Sequence, residues 1–469
     1  MGQEIAEDAF DEQHFARFRS HLEAEMELLR SWFAGNKFCV DKLQCGLELE
    51  AWLIDREGQP VPDNELFLAT LDRQSVVPEL AKFNFELNVT PQYISGVGLG
   101  DLQAELQATW GRCQQVAERL EHRTVSIGIL PTLTDEQLCL QNMSRMRRYA
   151  ALNEQMSRLR GGRPVTLEIE GHDTLRSVHH DLMLESAATS LQIHLKVPQH
   201  HAVRYYNASQ IASAFTVAMA ANAPLLFGKR LWDDTRIPVF EQSVDTAGQI
   251  PRVSFGNAYL QLSVLELFEE NFNSHRVLLP AELEQGPSTM PYVRMHNGTI
   301  WRWNRPLIGF ESDGTPHLRI EHRPMSASPS MADLVADMVL YLGLAHRLAT
   351  LQTSPESMLP FDLARTNFYS AARYGLNATV SWIDGRQHRL GTLLLEELLP
   401  WIEAGLADLE LSSQDIDSHV ATLRGRLESG QTGAVWQRRK YELLCGDTRR
   451  LLLEYLSGQV SGEPIHQWS

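Results

Sequence analysis

The stretch CGLELEAWLID, Cys45 to Asp55, decides how the rest of the chain is read. Glu48 and Glu50 stand two apart with Leu47 and Leu49 between and before them. This is strand alternation, in which successive side chains point to opposite faces. Both carboxylates then share one face of a sheet and both leucines the other. Two unit charges about 4 Å apart repel by roughly 4 kcal/mol at an effective dielectric near 20. A face of this kind needs water, a base or a metal cation to neutralise it.

A distant stretch, HLRIEHRP from His317 to Pro324, complements the first. Leu318 and Ile320 alternate there with Arg319, Glu321 and Arg323, so one strand presents base, acid and base on one face. Two runs between them repeat the pattern. VPELAKFNFELNVTP, from Val77 to Pro91, alternates Phe83, Phe85 and Leu87 with Asn84, Glu86 and Asn88, and TSLQIHLKV, from Thr189 to Val197, carries Gln192, His194 and Lys196 on one face. Any one such strand is ordinary, since an alternating strand usually has one solvated face. If the polar faces line one concave sheet, Glu48, Glu50, Glu86 and Glu321, with Glu79 from the preceding turn, supply hard oxygen ligands for magnesium or manganese. Arg319 and Arg323 then supply forked donors for phosphate or carboxylate oxygens. Glu168 and Glu170 repeat the E-x-E spacing and are a rival to the first pair.

Composition narrows the function classes. The 469 residues, 43% hydrophobic and 22% charged, suit a globular protein with a large core. A net charge of -17 argues against nonspecific binding to nucleic acid or to anionic membrane. The five cysteines are scattered, without the spacing of a zinc site or a redox pair, and read as reduced cytosolic thiols. The acidic amino-terminal stretch has no apolar core, so no signal peptide is expected there, and Gly2 is discounted as a myristoylation site because the sixth position is Ala6. No run reaches membrane-spanning length, and a cytoplasmic location is expected. Gly228-Lys229 lacks the earlier glycine of a P-loop, that position being Ala223, and Gly96 to Leu102 has the wrong spacing for a dinucleotide fingerprint. Any nucleotide is held by other means.

Apolar residues at helical period predict helices from about Asp11 to Phe33, through Arg145 to Met156, and over Ala202 to Ala221, Ala332 to Leu351, Leu390 to Leu409 and Val435 to Leu456. With no linker or repeat evident, the reading is a single α+β domain, with residues 1–40 an amino-terminal helical segment and about 331–469 a mainly helical carboxy-terminal region.

The order GLELE, ELNVTP, QIHLKV, LRIEHR, spanning roughly Gly46 to Arg323, resembles the glutamate-cysteine ligase and carboxylate-amine ligase family, a glutamine synthetase-like group. The resemblance implies a curved, mainly antiparallel sheet lining the active site with helices on its outer face. It implies ATP and two or more magnesium or manganese ions, and a reaction that activates a carboxylate, that of glutamate at the γ position, for amide formation with an amine such as cysteine. Carried onto this chain, Glu48 and Glu321 with Gln192 match one metal site, and Glu50, Glu79 and Glu86 the other. Arg323 matches the arginine beside the transferring phosphoryl group, with Arg319 as its catalytic companion and Gln192 and His194 as further nucleotide contacts. Arg148, Tyr149, Arg230 and Arg236 match regions bordering the amino-acid substrate. The implied partners are small molecules alone, with a homo-oligomer allowed. Departures are Asn88-Val89 in place of a smaller alanine, Gln192 where some relatives carry histidine, and the run HNGTIWRWNRP, His296 to Pro306, which lies outside the family pattern. A regulatory protein that binds an amino acid or nucleotide on the same scaffold, and a metal-dependent amide hydrolase, are the alternatives.

Overall fold

A computed structural model describes residues 4–7, 9–39, 42–71 and 75–469. Gly2 lies outside the described residues. Seven strands build the main sheet: β1 (Gln44–Ile54), β2 (Val76–Pro78), β3 (Asn84–Tyr93), β4 (Arg123–Val125), β5 (Ser190–Val197), β6 (Asn304–Phe310) and β7 (Pro316–Ser326). Their order is β6-β7-β5-β1-β3-β2, with β4 beside the end of β1. All of these pairings are antiparallel. The register shifts between Cys45 and Leu47 in β1 and between His322 and Met325 in β7. Such irregularities bend a strand and strengthen its twist, which helps curl the sheet into a half-barrel.

The leucine face of β1 is sealed by helices, as the alternation requires. Leu47, Leu49, Leu191, Ile193, Leu195, Leu318 and Ile320 are all buried. The helices that matter for the site are α1 (Glu12–Ala34), α2 (Arg147–Leu159), α3 (Ala202–Met219), α4 (Arg236–Ser243), α5 (Pro291–Gly298) and α6 (Met331–Thr350). α3 packs on β7 and on α6. His322, on the covered face of β7, stacks on Tyr341 of α6 with ring centroids 4.0 Å apart and hydrogen-bonds Thr216 of α3 and Asn304 of β6. Burial lowers its pKa to about 3, so it stays neutral. The curved antiparallel sheet with helices outside it is the expected α+β fold.

Two of the expected helices differ in detail. The stretch from Val435 to Leu456 is two helices, Gly433–Leu443 and Thr448–Ser461. Cys445 and Gly446 between them take left-handed φ values of 52° and 86°, and the Asp447 side chain caps the second helix at the Arg450 N–H. The stretch from Leu390 to Leu409 widens into a π-helical turn at Leu394–Leu398. Pro400, two residues on, has no N–H to continue the α-helical ladder, which is a physical reason for the wider turn.

Buried polar contacts bind the carboxy-terminal helices to the rest. Asn222 donates to Ala327 O and to the Tyr455 hydroxyl, and accepts from Gln437 Nε2. Arg426 is buried against α6, with Nη2 2.5 Å from Asp337 Oδ1 and Nη1 3.7 Å from Asp333 Oδ1. Removing one member of a buried ion pair strands the other charge. Asp337→Ala is expected to cost about 3–5 kcal/mol of stability, measured by urea unfolding; an unchanged midpoint would make the pair dispensable.

Candidate active site

Register turns separate alternating strands into one site. Glu48 lies opposite Gln192 on one side and Asn88 on the other; Glu50 lies opposite Glu86; Glu321 lies between His194 and Arg305. Residues directly opposite in a sheet share a face. One face therefore carries Glu48, Glu50, Glu86, Gln192, His194, Arg305, Arg319 and Glu321. These line a cavity of about 280 Å³, joined by Glu79, Arg148, Tyr149, Arg294 and Arg323. The cavity approaches the size of small-molecule sites rather than that of an ion cage alone.

The acids fall into two sets of opposite electrostatic character. In the first, Glu48, His194 and Glu321 offer ligand atoms all within 4.8 Å of one another. His194 Nε2 lies 3.3 Å from Glu48 and 3.7 Å from Glu321. Arg305 grips Glu321 with both prongs, Nε and Nη2 each at 2.8 Å, and Arg323 Nη1 adds a third hydrogen bond at 2.9 Å. Burial opposes the charge of Glu321, but the two arginines and His194 outweigh it and hold the carboxyl at about 2. Glu48 is also kept well below the ordinary range, burial being overcome by attraction to His194 and Arg305.

In the second set, Glu50, Glu79 and Glu86 also have ligand atoms within 4.8 Å of one another. Burial, then repulsion from Glu86, raises Glu50 to about 7. Burial, then repulsion from Glu50, raises Glu79 to about 8. Burial, then Glu48 and Glu79, pushes Glu86 well up. Neutral donors serve this set: Ser190 N and Gln192 Nε2 on Glu50, and Asn88 Nδ2 on Glu86. Three crowded carboxylates with oxygen-only ligands are the donor set that magnesium or manganese favours, and an imidazole beside two carboxylates also accommodates manganese. The residues therefore fit two divalent cations.

The structure brings together most of the residues expected at the site and moves some out. Arg148 and Tyr149, on α2, line the cavity, with Arg148 Nη2 2.6 Å from the Tyr149 hydroxyl. Arg319 faces in, and its Nε has no hydrogen-bond partner. Gln192 stands directly opposite Glu48 and donates its amide to Glu50, while His194 Nε2 lies near both Glu48 and Glu321. Both side chains share the face, but His194 is the one directly opposite Glu321. Arg230 is corrected outright, since it lies outside the cavity, paired with Asp173 and Glu442. Arg236 is buried behind the site, bonded to Asp234 and to Pro324 O, and shares a small side cavity with Glu50, Glu185 and Arg323. Glu168 and Glu170 are exposed on the hairpin of Val165–Glu170 with Thr174–His179 and do not join the acids. Sequence reasoning missed Glu185, Arg294, Arg305 and Trp301. Arg305 and Trp301 sit in the tryptophan-rich run that falls outside the family pattern; Glu185 lies in the 3-10 turn Met183–Ala187, where no alternation marks it.

The profile of glutamate-cysteine ligase family 2 (GCS2) matches residues 44–454. The chain belongs to that family. None of the curated protein sequences matches it. The fold is similar to glutamate-cysteine ligase from Francisella tularensis, solved in complex with AMP, with TM-score 0.52 and 11% identity over 89% of this chain and 90% of that one. It is also similar to a bifunctional glutathione synthetase from Pasteurella multocida, with TM-score 0.58 and 11% identity. That match covers 95% of this chain and 54% of the bifunctional protein, so the chain spans about half its length. Family and fold support an ATP-dependent carboxylate-amine ligase. No helix among the described residues is long and apolar enough to cross a membrane.

The raised carboxyls give a pH signature. An ordinary glutamate titrates near 4.5, so folding raises proton affinity at Glu50, Glu79 and Glu86. Their stabilising protonation is complete below about 4.5 and is lost as pH climbs through about 7 to 8. Glu48 and Glu321 act oppositely, but only at lower pH. The metal-free protein should therefore melt at lower temperature near about pH 8.5 than near about pH 5.5, and magnesium should restore stability mainly at the higher pH. Scanning calorimetry checks this; magnesium-independent melting at both pH values would leave the acid set without a cation.

Proposed function

We propose that the protein is an ATP-dependent ligase that activates the γ-carboxylate of glutamate as an acyl phosphate and joins it to an amine, cysteine being the acceptor that the family resemblance implies. A glutamate oxygen attacks the terminal phosphorus of ATP and ADP leaves; the amine nitrogen then attacks the acyl carbon, phosphate leaves, and the nitrogen loses a proton. Two magnesium or manganese ions, held by Glu48, His194 and Glu321 and by Glu50, Glu79 and Glu86, would supply charge neutralisation on the phosphates.

The observation that carries the reading is one sheet face bearing two acid sets beside Arg319 and Arg323. Arg323 is oriented by its own bond to Glu321, leaving the rest of its planar fork for an oxyanion. Phosphoryl transfer asks for this combination of positioning and charge stabilisation and for no covalent nucleophile. A regulatory protein that only binds an amino acid has no use for two acid sets, and an amide hydrolase has no use for phosphate-matching arginines. Purified protein given ATP, magnesium, glutamate and pooled amines should release phosphate and ADP in step with amide formation. No release from any pool, together with no metal binding, would discard the reading; amide hydrolysis without ATP would select the hydrolase.

Glu86→Gln separates catalysis from folding, because it removes a charge that is unfavourable without metal. It should abolish phosphate release while leaving the metal-free melting temperature unchanged or higher. Arg323→Lys keeps the charge and loses the fork, and kcat should fall by roughly 10²–10³, as on removal of a donor to a developing oxyanion. An unchanged kcat would move the phosphoryl site elsewhere.

A further inference from the structure

An aromatic wall stands against the arginine assigned to phosphoryl transfer. Phe240 and Val244, four residues apart at the end of α4, both line the cavity, as does Trp301. The Phe240 ring meets Trp301 at 6.3 Å and Trp303 at 5.8 Å between centroids, both edge-to-face. The arrangement is held from behind: Glu241 Oε1 accepts hydrogen bonds from Trp303 Nε1 at 2.8 Å and from the Tyr369 hydroxyl at 2.7 Å. The Arg323 guanidinium lies 5.6 Å from the Phe240 ring centroid. Glu185 lines the same cavity and shares the small side cavity with Phe240 and Arg323. Phe240 and Glu185 therefore stand beside Arg323, and Val244 and Trp301 line the same cavity.

Two substrate parts are candidates for this wall, the adenine of ATP and the acceptor amine. Adenine is separated from the terminal phosphorus by a ribose and two further phosphates, whereas Phe240 adjoins the arginine proposed to contact that phosphorus. The amine, by contrast, must arrive at the acyl carbon one oxygen away from the transferred phosphoryl group. A cysteine side chain would leave most of such a wall facing water, forfeiting apolar burial.

Resting on the ligase reading, we propose that Phe240, Val244 and Trp301 form the acceptor site, with Glu185 docking the ammonium group. The acceptor is a primary amine carrying an aromatic or branched apolar group. Apolar contact and a carboxylate at one end are the two features that recognise such a molecule.

The test is steady-state phosphate release with ATP, magnesium and glutamate, using 2-phenylethylamine, 3-methylbutylamine, cysteine and ammonium in turn. The two apolar amines should exceed cysteine and ammonium by roughly tenfold or more in kcat/KM, the scale of apolar pocket discrimination. Trp301 is partly exposed, so Trp301→Ala should fold; it should raise the KM for 2-phenylethylamine by roughly tenfold without changing that for ATP, and Trp301→Phe should recover most of the loss. Glu185→Gln should raise the KM for all four amines and spare that for ATP. Preference for cysteine or ammonium, untouched by Trp301→Ala, overturns the acceptor assignment and leaves the ligase reading standing. A defect confined to the KM for ATP gives the wall to adenine and overturns it too. No phosphate release with any amine overturns both readings.

Discussion

The structure turns on a repulsion. Glu50 and Glu86 lie directly opposite each other across adjacent strands, and Glu79 closes in beside them. Like charges in that position disfavour the sheet, and burial makes each charge dearer. The fold tolerates the arrangement because the opposite face is committed: Leu47, Leu49, Phe85 and Leu87 are buried, and a one-residue slip would bring them to the polar side. Core packing thus holds in place a polar surface that would not assemble for its own sake.

The second acid set solves the same problem differently. Glu321 is charged because Arg305 and Arg323 surround it, and Glu48 because His194 and Arg305 stand near. One set comes with its counter-charge built in and the other waits for it. Two carboxyl groups two residues apart on β1 are thereby shifted in opposite directions from the ordinary carboxylate range, a difference set by the neighbours that register supplies rather than by residue type.

Much of this was legible in the residues. Alternation in β1, β3, β5 and β7 identified the strands and the faces, and the ordered motifs pointed to the family and to the curved sheet. Pairing partners were not legible, because period two assigns a face and says nothing of which residue stands opposite. Gln192 stands opposite Glu48 and His194 opposite Glu321, a pairing that alternation alone does not show. Arg230 came to the site by resemblance of its segment to the family, and a short likeness of sequence does not show that this side chain turns away to Asp173. Glu185 and Arg305 were missed for different reasons. The first lies in a turn without a period, and the second in β6, whose sequence NRPLIGF has no clean alternation of polar and apolar residues.

β1 cannot complete its pairing early. Its partners include β5, some 140 residues later, and Glu48 meets Glu321 only after β7 has joined. Contacts of such long range are slow to form, since loop closure is costly before it is rewarded. During synthesis β1 and β3 are made before β5, β6, β7 and the helices α3 and α6, so their opposed acids and apolar face come out ahead of their later partners. A growing chain therefore presents that apolar face until its later partners arrive, an interval in which such surfaces are prone to aggregate.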